Sequence, residues 1–397
     1  KQLTSKPVVG VGWFTSPDHM VSQINRGILD FVGSARASIA DPFLPNKIFE
    51  GNEDDIRECI GCNICASCYN QGIPVRCTQN PTMGEEWRRG WHPERIKKKT
   101  SDENILIIGG GPAGLEAAMS LGKRGYEVTL AEKDMELGGR INKEIQLPGM
   151  SSYSRIRDYR THQINQLENV SVFLDNQMKV EDVIDMEFEH VVIASGSSWE
   201  LTTIDDKAIP INTNENSNFL TPDDILNGAK VNSPVVIYDF DYYYMGGLIA
   251  EFLSGQGHTV NMVTPFENVS PWSFMSNELN EIKLRLNEKN VTIHTDSRVL
   301  SSNNSSIEII NCFNKDQSSL EASTVVIVGT RKPRDEIYHA LIKAKSPKIK
   351  SVTKIGDADA PGALYHAVYS GHLFAEYFGE EQQIDNMKHE YPVIQPF

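Results

Sequence analysis

The sequence predicts an α/β protein built on parallel sheets, and three stretches carry that prediction. An apolar strand-like run, ILII, leads into the glycine turn GGGPAG, an Ala/Leu-rich helix and a second strand, EVTLAE. The same rhythm recurs in PVVIYDFDYYYMGGLIAEFLSGQGHTVNMVTP. A shorter version stands near the start, where PVVGVGWF and LDFVGSAR flank the helix-like SPDHMVSQINRG. Strands alternating with helices, a glycine closing each strand, mark parallel α/β units.

The chain has 397 residues, enough for two or three domains. Its 40% hydrophobic and 23% charged content is that of a water-soluble globular protein. A formal charge of −15 argues against nucleic acid as a partner. No apolar run reaches bilayer length. The opening KQLTSKPVVGVGWF lacks the charged and apolar regions of a secretion signal, so a reducing, cytoplasmic setting is expected.

Four blocks follow in order. Residues 1–100 hold the first strand–helix–strand unit and then a cysteine-rich run. HPERIKKKTSDEN is polar and basic, and links to the next block. Residues 101–203, rejoined by 326–397, form one nucleotide-binding domain, closed by the strands TVVIVGT and VTKIGDA and the helix GALYHAVYSGHLFAEYFG. Residues 204–325 form a second domain of the same type.

Cys59, Cys62, Cys65, Cys68 and Cys77 crowd into CIGCNICASCYNQGIPVRC, and Cys312 stands apart. Thiolates at three-residue intervals, with a further Cys on a returning loop, suit an iron–sulfur cluster. Zinc is the first alternative, although structural zinc usually takes two separated C-x-x-C pairs or mixes Cys with His. Disulfides are the second, and clustered cysteines without a secretion signal argue against them.

Gly109, Gly111 and Gly114 form G-x-G-x-x-G between a strand and a helix. The first glycine permits the turn, the second lets backbone approach a pyrophosphate, and the third lets the helix pack on the strand. Glu132 ends the next strand, where it can accept hydrogen bonds from ribose hydroxyls. Gly138 and Gly139 add a second close-approach turn. Gly356 and Asp357 end a later strand, where Asp357 can meet a flavin ribityl or phosphate, or cap a helix. An adenine dinucleotide, or at least ADP, is expected here.

The second unit departs from this pattern. Asp239, Asp241 and Tyr244 stand where three glycines belong. A carboxylate repels a pyrophosphate and a tyrosine blocks backbone approach, so this domain is expected not to bind NAD(P). Before the cysteines, Gly12 and Gly33 each follow a strand and Arg36 follows closely; a phosphate site and an ordinary turn with a surface Arg both remain open.

With these pieces in place, the chain resembles the trimethylamine dehydrogenase family. The resemblance rests on GVGWFTSPDHM, GSARASIADPFLPNK, CIGCNIC, CTQNPTMGEEWRRGWHPE, IIGGGPAGLEAA, LGGRIN, LPG, RDYR and IGDADAP, from residue 9 to about 372. It implies the last two strand–helix units of a TIM barrel with an iron–sulfur loop, then two Rossmann-like, glutathione-reductase-like domains. It implies a [4Fe-4S] cluster on Cys59, Cys62, Cys65 and Cys77, with Cys68 extra. It matches Arg36, with Gly12 and Gly33, to an FMN phosphate site, and Tyr69 to an aromatic of the amine pocket. FAD or ADP is implied at the first glycine loop, with Arg140 beside Gly138 and Gly139.

The implied activity is that of an amine or N-methyl amino acid dehydrogenase, an oxidative demethylase passing electrons from FMN through the cluster to an electron-transferring flavoprotein. The broken second loop favours that branch over NADPH-dependent enoate or 2,4-dienoyl-CoA reductases. A third possibility is a non-catalytic electron-transfer subunit. The family's catalytic Tyr, His and Asp would fall in a barrel segment outside this sequence, so that segment is an expected partner and the chain alone is expected to be inactive. The resemblance also implies a homo-oligomer.

Overall fold

The computed structural model describes residues 4–201, 218–303 and 305–380, with the backbone of Asn212 and Thr213. The expected boundary at 203/204 and the tail 381–397 lie outside the described residues. The chain divides into two compact units, one of residues 1–141, 152–196 and 334–397, the other of residues 142–151 and 197–333.

The first unit is organised by a five-stranded parallel sheet. Its order is Ser351–Lys354, His190–Ile193, Asn104–Ile108, Glu127–Ala131, Val170–Phe173. Alternation along the central strand splits the core: Ile105 and Ile107 pack with Leu115, Leu121 and Leu130 on one face. Leu106 packs with Met178, Val183 and Leu341 on the other. Both faces are covered, which is why ILII reads as a continuous apolar run. The helix Pro112–Arg124 begins with Pro at its first turn and ends on Gly125 in a left-handed conformation, with Lys123 and Arg124 near the negative end of its dipole. It packs against the helix Leu364–Tyr377, where Gly371 is required: a Cβ there would strike the Ala113 carbonyl.

Before this sheet, Val9–Val11 pairs in parallel with Phe31–Gly33 across the helix Pro17–Asn25, as the opening rhythm predicts. The pair is poorly covered. Val9, Val11 and Phe31 are 59%, 76% and 59% exposed, and the helix buries no residue.

The second unit contains another five-stranded parallel sheet, ordered Thr292–His294, Val260–Val263, Val235–Asp239, Thr324–Val328, Phe219–Leu220. The helix Met245–Gly255 connects Val235–Asp239 to Val260–Val263. Ser297–Ser302, Ser306–Asn311 and Gln317–Glu321 form an antiparallel meander, joined at its edge by Asn212–Thr213. The sequence-based boundary at 325/326 therefore needs correction. Thr324–Val328 lies beside Val235–Asp239 in the second sheet, and the return to the first unit comes after Pro333. An apolar run signals burial on both faces, not which sheet provides it.

Among the described residues, no helix is long and apolar enough to cross a membrane.

Candidate functional site

The cysteine segment folds as a loop, a short helix Ile64–Asn70 and a return through Cys77. Gly61 adopts φ +74°, and a Cβ there would press on the Trp13 ring, so glycine is needed between Cys59 and Cys62. Cys59, Cys62, Cys65 and Cys77 are free thiols that lie within electrostatic reach of one another. Burial, with neighbouring thiols adding to it, pushes Cys62 up to about 11 and Cys77 up to about 12. Polar groups approach these sulfurs: Gly61 N donates to Cys59 at 3.4 Å, the Thr78 hydroxyl shares a hydrogen bond with Cys62 at 3.2 Å, and the nearby backbone of Gln79 and Asn80 eases ionisation of Cys77. Burial disfavours thiolates while these groups favour them, and an added cationic centre would tip the balance. Cys68 is buried on the helix, with Arg76 as its charged neighbour. Among the described residues, no three His, Cys, Asp or Glu side chains converge as a single-ion site.

Val11 and Gly33 are register partners, so Gly12, Gly33 and Arg36 share the C-terminal edge of the small parallel pair. No atom lies within 4 Å of a Cβ built on Gly12. Arg36 donates from Nη1 to Asn63 Oδ1 at 2.7 Å and lies close enough to Cys65 to ease its ionisation. Tyr69 is 77% exposed.

At the first glycine loop, the residues expected from sequence come together. A Cβ on Gly109 would strike the Ala194 backbone, and one on Gly114 would strike the Gly109 carbonyl. Gly111 differs: a Cβ there meets nothing within 4 Å, and the helix it precedes has no side-chain cap. Open space at an uncapped helix N-terminus is what a pyrophosphate needs. Gly138 N donates to Gly110 O at 2.8 Å, and a Cβ on Gly139 would lie 3.2 Å from the Gly111 Cα. The second turn, which leads into half-buried Arg140, thus packs over the first. Glu132 is buried and accepts from Gly110 N at 2.6 Å and Asp134 N at 2.9 Å. It braces the loop as well as facing it. Gly356, at φ +60°, packs against Ala113 at the same helix start. Asp357 is not a helix N-cap: the following helix is preceded by Ala363, and Asp357 Oδ1 accepts from Gly362 N at 3.1 Å.

In the second unit the corresponding loop is filled. Asp239 is 1% exposed, and its carboxyl lies against Gly246, where a Cβ would overlap it. Burial first, and the Asp241 charge second, push Asp239 far above the ordinary carboxylate range. The Asp239 carboxyl packed under Gly246 adds a steric obstruction to the repulsion read from sequence. Burial pushes Asp241 up to about 6 against the opposing Arg331, so Asp241 carries the charge at neutral pH.

A buried network escaped the sequence reading. Glu116, two residues past Gly114, accepts from Arg160 Nε at 2.7 Å and contacts His372 Nδ1 at 2.9 Å. Its sequence signal is a lone acid inside the apolar helix PAGLEAAM. Burial pushes this carboxyl up, but Arg160, His372 and Arg57 outweigh it and hold it at about 2 rather than 4.5. The folded value lies below the unfolded one, so the stabilisation, about 3 kcal/mol, is present above pH 4.5 and lost as pH falls toward 2. Glu116→Gln is expected to flatten that part of an acid-unfolding curve followed by circular dichroism.

The first unit is thus a Rossmann-like fold with an open glycine loop and a thiol-rich loop, and the second a similar fold with a closed glycine loop. Residues 103–351 match the pyridine nucleotide-disulphide oxidoreductase family, and residues 1–55 match the NADH:flavin oxidoreductase / NADH oxidase family. Dimethylamine dehydrogenase of Hyphomicrobium sp. (strain x) is 36% identical over 408 residues, covering 94% of this chain and 55% of that protein. Histamine dehydrogenase from Rhizobium sp. 4-9 superposes with TM-score 0.95 and 42% identity, covering 100% of this chain and 59% of that one. 6-Hydroxypseudooxynicotine amine oxidase from Pseudomonas geniculata N1 gives TM-score 0.92 and 43% identity, covering 96% of this chain and 57% of that one. The chain spans little more than half the length of these relatives. By its larger part the chain belongs to the pyridine nucleotide-disulphide oxidoreductase family, and the relatives it is similar to include members of the trimethylamine dehydrogenase family.

Proposed function

We propose that this chain is the cluster- and nucleotide-binding part of an amine or N-methyl amino acid dehydrogenase, an oxidative demethylase. Cys59, Cys62, Cys65 and Cys77 would hold a [4Fe-4S] cluster, which when bound supplies a one-electron relay between FMN and an electron-transferring flavoprotein. The mutual proximity of these thiols, in a single C-x-x-C-x-x-C run with a further Cys on the returning loop, supports a polynuclear centre over zinc, which usually takes two separated C-x-x-C pairs. Arg36, with Gly12 and Gly33, would hold the FMN phosphate while bracing the cluster loop through Asn63. The first glycine loop would hold FAD or ADP, its backbone N–H groups facing the phosphates.

The exposed faces of Val9, Val11 and Phe31 favour a further barrel segment that covers them and carries the groups that touch the amine.

The observation that carries the reading is the contrast between the two glycine loops. Gly111 leaves room for a pyrophosphate, whereas in the second loop Asp241 stands at that position and the buried Asp239 carboxyl lies against Gly246. Electrons therefore enter from an amine rather than from NADPH, which favours the dehydrogenase over the reductases. NADH and NADPH are expected not to bind the purified protein at up to about 1 mM in equilibrium dialysis, a level that would detect even about 4 kcal/mol of binding energy. Micromolar binding of either would return the reductase reading to first place.

A further inference from the structure

We propose that Gln79 is a positioning residue that clamps the two ends of the cysteine loop together, held in place by Arg160. The inference rests on the cluster reading above. Cys59 and Cys77 come from opposite ends of the loop, and a cluster needs both at once. Gln79 Nε2 donates to the Glu58 carbonyl at 2.9 Å, next to Cys59, and more weakly to the Arg155 carbonyl at 3.3 Å. Gln79 follows Cys77 by two residues, so this side-chain bond joins the exit of the loop to its entrance. One residue therefore ties both ends.

Arg160 fixes that residue in a single orientation. It is fully buried, and donates from Nη1 to Gln79 Oε1 at 2.9 Å and from Nη2 to the Gln79 carbonyl at 3.2 Å. Its remaining contacts are the Ile156 carbonyl at 3.0 Å and Glu116 Oε2 at 2.7 Å. Glu116 neutralises the guanidinium, so the role is mechanical more than electrostatic. A second strut comes from the same helix, Ser154–Asn165: Arg155 Nη1 donates to the Cys59 carbonyl at 2.8 Å. One helix thus braces the entrance of the loop through Arg155 and its exit through Arg160 and Gln79. Outer hydrogen bonds of this kind orient metal ligands, and their loss typically weakens metal retention 10- to 100-fold.

The test uses the full chain with its cluster reconstituted anaerobically. Gln79→Ala is expected to lose iron to a chelator at least about tenfold faster than wild type, followed by visible absorbance. Its midpoint potential should also shift, as the Cys77 ligand loses its fixed orientation. Arg160→Lys should show the same direction, because it keeps the charge and loses the fork. Gln79→Glu keeps the Arg160 contact but loses the donor to Glu58, and should fall between wild type and Gln79→Ala; it decides the matter if Gln79→Ala does not fold. Ser120→Ala, which touches the other oxygen of Glu116, should retain iron like wild type. Wild-type retention and potential in folded Gln79 variants overturn the clamp. Failure of the wild-type chain to take up iron and sulfide overturns the cluster reading itself, and the clamp with it.

Discussion

Alanine at Cys59, Cys62, Cys65 or Cys77 is expected to abolish cluster incorporation, while Cys68→Ala leaves it intact. The four sit within electrostatic reach of one another, and polar groups approach their sulfurs. Burial makes Cys62, Cys65 and Cys77 unfavourable thiolates alone, so retention of iron depends on the four acting together on one cationic centre. Cys68 is buried beside Arg76, and its substitution by alanine removes a small side chain from a packed position. Iron and acid-labile sulfide per chain after anaerobic reconstitution separates the two cases. Equal losses for Cys68→Ala and the other four would contradict the ligand assignment.

The second large effect lies at Gly111. Its backbone, φ −74° and ψ −178°, is open to any residue, and a Cβ would meet no atom of the protein within 4 Å. Nothing in the fold requires glycine there. Gly111→Val is therefore expected to leave the melting temperature unchanged while weakening adenine nucleotide binding by up to about 100-fold, the equivalent of roughly 3 kcal/mol of steric conflict with a pyrophosphate. Gly114→Ala makes the opposite case. Its Cβ would strike the Gly109 carbonyl, so loss of stability should accompany loss of binding. Calorimetric titration with ADP and FAD, beside thermal unfolding of each variant, distinguishes a ligand-driven glycine from a packing-driven one. A drop in melting temperature for Gly111→Val would assign that glycine to packing instead.

Much of this was legible in the residues, for physical reasons that can be named. ILIIGGGPAGLEAA carries its fold openly because strand burial, turn geometry and helix packing each demand a residue type at a fixed offset. The parallel pairing of Val9–Val11 with Phe31–Gly33 follows from the same rhythm. The blocked second loop was legible as an absence of glycine, but its mechanism was not. Sequence shows an acid at 239, whereas only the fold shows it buried against Gly246 with its ionisation disfavoured. Thr324–Val328 was assigned to the wrong sheet because its pattern specifies burial without naming a neighbour. The Glu116–Arg160–Gln79 chain was invisible for a similar reason. Its members lie 37 or more positions apart in sequence, and nothing local marks a charge as buried. Asp357 had two readings of equal weight, and the structure removes the helix-cap one by placing Ala363 at the helix start.

The most direct test of the account is the cofactor content of the wild-type chain purified without oxygen. It predicts about four iron and four sulfide per chain, as a single cubane requires, with one adenine nucleotide released on denaturation and no NAD(P). Stoichiometric zinc without sulfide, or a chain that releases NADP and no ADP or FAD, would contradict it.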